Sequence, residues 1–169
     1  MKVSIRPERP GDYDKIDEVI EAAFNQRNEA VLVRKLRGTK EFVPGLSLVA
    51  TADNGIIGHI LLYPITFTGG VTLVLAPMAV KPELQKRGVG KKLITEGLKK
   101  AAENGYGSVI VVGHPEYYPK FGFEKASKCG LRMSFDVPDE AFMAIELKKD
   151  SLKGKGGLIE LPQPYLECA

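Results

Sequence analysis

Gln85-Lys86-Arg87-Gly88-Val89-Gly90 decides the reading of this chain. It follows an apolar run, Val71 to Val80, that reads as a strand. It opens a helical pattern in which Val89, Leu93, Ile94, Gly97, Leu98, Ala101 and Ala102 recur with lysines between them. A strand that feeds a glycine-rich turn and then a helix aims free backbone N–H groups at a phosphate. Glycine is needed there because a Cβ would block close approach and restrict φ. Two other phosphate loops fit poorly. A dinucleotide fingerprint needs a third glycine where Leu93 stands, and a P-loop needs glycine at Gln85 and serine or threonine at Lys92.

Gln85-x-x-Gly88-x-Gly90 after Pro77-Met78-Ala79-Val80 resembles the acetyl-CoA-binding motif of the GNAT superfamily of N-acyltransferases. Downstream, Tyr117-Tyr118-Pro119-Lys120-Phe121-Gly122-Phe123 resembles that family's Tyr-x-Lys-x-Gly-Phe element. A helix and a short strand, Ser108 to Val112, lie between them in the family's order, and the resemblance covers roughly Lys2 to Leu147. The run Val112-Gly113-His114-Pro115-Glu116-Tyr117-Tyr118 is similar to a GNAT branch generally called predicted acetyltransferases.

Composition sets the bounds. The 169 residues are read as a GNAT domain over residues 1–148 followed by a C-terminal arm over 149–169 packed on it. Hydrophobic residues at 44% and charged residues at 27% are ordinary for a globular chain. No apolar run approaches the roughly 20 residues of a membrane span, and Met1-Lys2-Val3-Ser4-Ile5-Arg6 lacks the apolar core of a signal peptide. Cys129 and Cys168 supply neither a disulfide framework nor metal-ligand spacing, so both are expected as free thiols in a cytoplasmic protein without a metal. A net charge of +3 and no aromatic interleaving among the basic residues argue against a nucleic-acid partner.

Periodicity predicts a first strand at Val3–Arg6, then a helix from an Asp12 cap to Phe24 with Ile16, Val19, Ile20 and Ala23 inward. A second helix is expected over Glu29–Arg37, burying Val31, Leu32 and Leu36 and stopping at Gly38. Strands follow at Leu46–Thr51 and, after the Asp53-Asn54-Gly55 turn, from Ile56 toward Phe67. The long helix, the Ser108–Val112 strand, a short helix around Glu116–Phe121 and strands near Leu131–Phe135 and Phe142–Leu147 complete an α/β (α+β) chain. Its sheet is mixed, with helices on both faces. In the tail, Leu158–Leu161 is expected as an edge strand or a docked segment, and Pro162 and Pro164 are expected to forbid a helix.

The resemblance implies the site. In this family the strand ending Met78-Ala79-Val80 carries a bulge and splays from its neighbour, so that its free backbone groups bind the pantetheine arm and one N–H polarises the thioester carbonyl. Pro77 suits such an interruption because it donates nothing to a ladder. Met78, Ala79, Val80, Gln85, Lys86, Arg87, Gly88, Val89, Gly90 and Lys91 are therefore the expected coenzyme-binding residues, with acetyl-CoA as cosubstrate. Tyr118, four residues before Gly122, matches the family tyrosine that protonates the departing thiolate, with Tyr117 beside it. Glu29 is the candidate for holding the acceptor, a small-molecule or peptide amine, and equally a helix-start residue. No general base is assigned. His59 lies inside a strand and reads as packing, and His114 stands where many relatives carry an asparagine. The implied activity is acetyl transfer to a primary amine by direct attack in a ternary complex, with a homodimer admitted. A non-catalytic acyl-CoA-binding module on the same fold is the competing reading.

Overall fold

The computed structural model describes residues 1–168. Its strands are β1 (Ser4–Pro7), β2 (Ser47–Ala52), β3 (Gly55–Phe67), β4 (Gly70–Val80), β5 (Ser108–Val112), β6 (Glu124–Lys125), β7 (Arg132–Met133), β8 (Phe142–Glu146) and β9 (Leu158–Ile159). Its α-helices are α1 (Tyr13–Phe24), α2 (Asn28–Arg37), α3 (Val89–Glu103) and α4 (Gln163–Glu167). Seven strands form one mixed sheet in the order β1-β2-β3-β4-β5-β8-β6, and β7 pairs with β9 in a second, two-stranded sheet.

Side-chain alternation along the strands sorts the core into two layers. Leu61, Tyr63 and Val74 pack with Ile16, Ile20, Val33 and Leu36 of α1 and α2. Ile60, Leu62, Leu73 and Leu75 pack with Leu93, Ile94 and Ala101 of α3 on the opposite face. Gly97 lets α3 come close, since a Cβ there would stand 3.3 Å from Leu62. Asp53 and Asn54, at φ 50° and 66°, make the tight turn between β2 and β3 that the sequence signals.

Strand β4 changes parity partway along. Leu73 and Leu75 belong to the α3 layer, yet so do Met78 and Val80, which alternation from Leu75 would have divided differently. The cause is an extra residue. Ile60 pairs with Met78 and Leu62 with Leu75, so Ala76 and Pro77 together oppose Leu61. On its other edge β4 runs parallel to β5 only at Leu73–Val109 and Val74–Ile110. A buried hydroxyl pair, Thr72 and Ser108 at 2.7 Å, pins the two strands where they begin, and beyond Val74 they part.

Several expectations are corrected. Asp12 precedes α1 but makes no cap to it; its carboxylate instead accepts from the Arg6 guanidinium at 2.7 and 3.0 Å and from the Arg9 N–H at 2.8 Å. Val31 is exposed, and Ala30 and Val33 are buried in its place, because α2 turns a slightly different stripe inward. The segment near Leu131 joins β9 rather than the main sheet, whose edge is supplied by the two-residue β6. Pro162 and Pro164 do not forbid a helix. They stand at the N-cap and in the first turn of α4, where the missing N–H has no intrahelical partner to lose.

Apart from the Thr72–Ser108 pair, the buried polar residues gather in one cluster on the β2–β3 side of the sheet. Glu8 accepts from Arg37 at 2.7 and 3.1 Å and from the Ser47 hydroxyl. His59 Nε2 lies 2.9 Å from Ser47 Oγ and 3.4 Å from Glu8. Arg37 also covers the Tyr13 ring at 3.9 Å. Burial holds His59 in its neutral form, as its reading as a packing residue expects. Glu8 is also pushed upward by burial, but hydrogen bonds from His59, Arg37 and Ser47 prevail and hold it at about 2.

Candidate active site

The parting of β4 from β5 opens a cavity of about 1140 Å³. It runs from one sheet face to the other, because its walls draw on both core layers. Leu75, Val80 and Tyr118 come from the α3 side, and Leu32 and Tyr165 from the α1–α2 side. The β4 segment Leu75–Val80 forms one wall, and Val112, Gly113 and His114, at the end of β5, form the other.

The turn from β4 to α3 closes one end. Gln85 donates its side-chain amide to the Val80 carbonyl at 3.1 Å, tying the turn to the strand end, and Lys81 N–H reaches the Ile57 carbonyl at 2.9 Å. Lys86 and Gly88 both adopt left-handed φ, 64° and 86°. For glycine this is easy, but for lysine it is strain of the kind that persists where a loop must present its amides in one direction. The α3 ladder begins with Lys92 N–H to the Gly88 carbonyl at 3.1 Å. The N–H groups of Val89, Gly90 and Lys91 therefore lie ahead of it, free for an anion at the positive end of the helix. Gln85, Lys86, Gly88, Gly90 and Lys91 line the cavity together with Met78, Ala79 and Val80. Arg87 is exposed and Val89 is buried, and neither side chain lines it; Val89 packs beneath the turn, against Gly58.

Gly90 is tightly enclosed. A Cβ there would lie 2.9 Å from the Tyr117 hydroxyl and 3.5 Å from Met78 Cε. Tyr117 thus reaches the β4–α3 turn, half-buried, while Tyr118 goes deeper and is only 8% exposed. The two rings meet edge to face at 5.2 Å, and Phe123 flanks Tyr118 at 5.6 Å. Burial, with Tyr117 adding to it, pushes the Tyr118 phenol up to about 12. At neutral pH it therefore carries its proton.

The far end is built by the ends of α1 and α2 and by the chain's C-terminal segment. Ala23, Phe24, Glu29, Leu32, Tyr165 and Cys168 line it. Glu29 is half-buried, and the Gln26 amide lies 2.9 and 3.0 Å from its two oxygens. Tyr165 is buried and donates its hydroxyl to the Ala76 carbonyl, at the strand bulge, at 3.1 Å.

A match to the acetyltransferase (GNAT) domain model spans residues 44–125, from the approach to β2 through the tyrosine segment. The chain is 36% identical to the uncharacterized N-acetyltransferase YhbS of Escherichia coli (strain K12) over 164 residues, covering 95% of this chain and 97% of that one. The chain belongs to the GNAT acetyltransferase family. It is an enzyme of the acyl-CoA-dependent N-acyltransferase class. Its fold superposes on the crystal structure of E. coli YhbS in complex with CoA with a TM-score of 0.92, at 32% identity over 98% of this chain and 93% of that one. A GNAT acetyltransferase from Brucella melitensis, in complex with acetyl-CoA, follows at 0.80 and 29% identity, covering 97% and 98%.

Within this GNAT chain, sequence reasoning gave no place in the cavity to Gly113 or Tyr165. A Cβ at Gly113 would stand 2.5 Å from the Tyr118 ring. Tyr165 makes a contact from the tail to β4 across 89 positions of sequence. Lys86 was expected there, but nothing in its residue type signals its left-handed backbone. His59 does not line the cavity, although it pairs across the sheet with Ala79, which does, whereas His114 is exposed at its rim. Among the described residues, no group of three or more His, Cys, Asp or Glu side chains could hold a metal, and no helix is long and apolar enough to cross a membrane.

Proposed function

We propose that this GNAT enzyme moves the acetyl group of acetyl-CoA to a primary amine by direct attack in a ternary complex. The observation that carries this reading is the gap between β4 and β5, which ends at the free N–H groups of α3 and holds Tyr118 inside it. The fit to the coenzyme is concrete. A glycine at 90 leaves a cradle that a Cβ would fill, and the β4 edge beyond Val74 has no strand partner there.

Bound acetyl-CoA would supply an electrophilic thioester: the amine nitrogen bonds to the acetyl carbon, the C–S bond breaks, and sulfur leaves with the electron pair. The chain's residues make this possible. The amides of Lys86, Arg87, Gly88, Val89, Gly90 and Lys91 receive the pyrophosphate, with Gln85 holding the turn in place. The backbone of Met78, Ala79 and Val80 takes the pantetheine arm as a neighbouring strand would be taken, and one N–H there stabilises the oxyanion. Tyr118 gives its phenolic proton to the sulfur and regains one from solvent, while the nitrogen, once bonded to the acetyl carbon, sheds its extra proton to solvent. Glu29 receives the amine, which attacks only after losing its own proton to solvent. Residues 1–148 form the catalytic domain in this reading, and the arm 149–169 adds Tyr165 and Cys168 to the acceptor end. A reducing cytoplasm suits its two free cysteines.

Free thiol release from acetyl-CoA, followed with a panel of primary amines, tests the reading. Amine-dependent release that falls in Tyr118→Phe is expected. Coenzyme binding without release, whatever the amine, would instead make the chain a binding module.

A further inference from the structure

The acceptor end of the cavity is nearly devoid of free polar groups. The Tyr165 hydroxyl is committed to the Ala76 carbonyl, so the side chain offers the cavity its ring. That ring is braced edge-on by Tyr63 at 6.1 Å, whose own hydroxyl is engaged with Thr39 at 2.7 Å. Around the rim, the Asn28 amide donates to the Cys168 carbonyl at 3.4 Å, and Lys35 pairs with Glu167 at 2.8 Å. Phe24 and Leu32 complete an apolar wall. The two cavity lysines, Lys86 and Lys91, belong to the phosphate turn at the other end. Among the described residues that line the cavity, Glu29 is the one carboxylate, held by the Gln26 amide.

We infer that the acceptor is a small monoamine with an apolar body, its nitrogen at Glu29 and its hydrocarbon or aromatic part against Phe24, Leu32 and the Tyr165 ring. This rests on the transferase reading above. A polyamine would bring a second cation with no second carboxylate among those lining residues to meet it, and burying an unpaired charge is costly. A peptide or an amino sugar would bring amides or hydroxyls that lose water against an apolar wall without replacement partners. An aliphatic or aromatic body loses only its hydration, which favours burial.

The test uses the full chain with acetyl-CoA and four acceptors: phenethylamine, hexylamine, spermidine and a glycyl peptide amide. Phenethylamine and hexylamine are expected to exceed the other two in kcat/KM by about tenfold or more. Phe24→Asp, at an exposed position on the wall, is expected to shift preference toward spermidine by supplying the second carboxylate. Thiol release that favours spermidine or the peptide in the unaltered protein would overturn the acceptor class and leave the transferase reading standing. Calorimetry of phenethylamine into the CoA-loaded protein separates the remaining case. Binding without any turnover would sustain the apolar pocket and remove the transferase reading, while neither binding nor turnover would remove both.

Discussion

Along one edge, β4 is paired with β3 from the Gly58–Val80 pair to the Phe67–Gly70 pair, interrupted only by the bulge at Ala76–Pro77. Along the other edge it meets β5 at Leu73 and Val74 and then runs on alone. The same strand is thus structural on one side and available on the other. Near the paired side lies the closed cluster of Glu8, Arg37, Ser47 and His59, where His59 Nδ1 is left without a partner but every charge is answered. On the open side, backbone groups that folding leaves unanswered are those a ligand can take. Stability and chemistry should therefore separate between the two sides under mutation.

The largest effect is expected on the closed side. Glu8→Gln leaves the Arg37 guanidinium buried without its carboxylate, and breaking such a pair typically costs about 3–5 kcal/mol. Denaturant unfolding should show that loss, with kcat of the folded protein unchanged. The pH dependence has a definite sign. With Glu8 held at about 2 in the folded protein against an ordinary 4.5, the unfolded chain takes up the proton first as pH falls. The contribution is complete above the ordinary value and is lost on acidification from there toward 2. An acid melt should flatten in Glu8→Gln, and a variant as acid-sensitive as the parent would break the comparison.

On the open side the order reverses. Gly90→Val places atoms where the Tyr117 hydroxyl and Met78 lie. It should abolish thermal stabilisation by acetyl-CoA, which for a saturating ligand at a hundred times its Kd is about 2.7 kcal/mol. The apo melting temperature should stay close to the parent's. Stabilisation that survives in a folded variant would remove the phosphate turn from the site.

Tyr118→Phe should lower kcat by about 10²-fold with little change in coenzyme affinity. Because burial pushes this phenol up to about 12, it stays protonated through the assay range. The rate should climb with pH as the amine loses its proton and should not fall again before the strongly alkaline limit. A descending limb near neutrality would place the proton donor elsewhere.

Glu29→Gln is the smallest of these effects. It should raise the acceptor KM by about tenfold, equal to 1.4 kcal/mol, and leave the acetyl-CoA KM alone. No change with the best acceptor would return Glu29 to a helix-start role.

The contrast between the edges also explains what could be read from residues alone. Gly88, Gly90 and the tyrosine segment are local signals, because the turn and its short helix are made by neighbours in sequence. The α3 stripe and the β2–β3 turn are local in the same way. The two-residue β6 leaves too little pattern to detect, and its pairing with β8 is decided by the fold. Pro162 and Pro164 read as breakers until their place in a first turn is known. The acceptor end was the least legible. Glu29 stood out as a carboxylate at a helix start, but the Tyr165–Ala76 bond joins the tail to the bulge over a separation no periodicity reports. Gly113 stood in the sequence as one member of a run similar to a GNAT branch, and the Tyr118 ring packed against it gives it a reason.

Amide hydrogen exchange with and without acetyl-CoA tests the central claim most directly, since the claim concerns backbone groups that lack partners until a ligand arrives. The account predicts that acetyl-CoA slows exchange at Met78–Val80 and at Lys86–Lys91, while β1 and β2, remote from the gap, keep their rates. Protection that is absent from both segments, or that appears equally along β1 and β2, would contradict it.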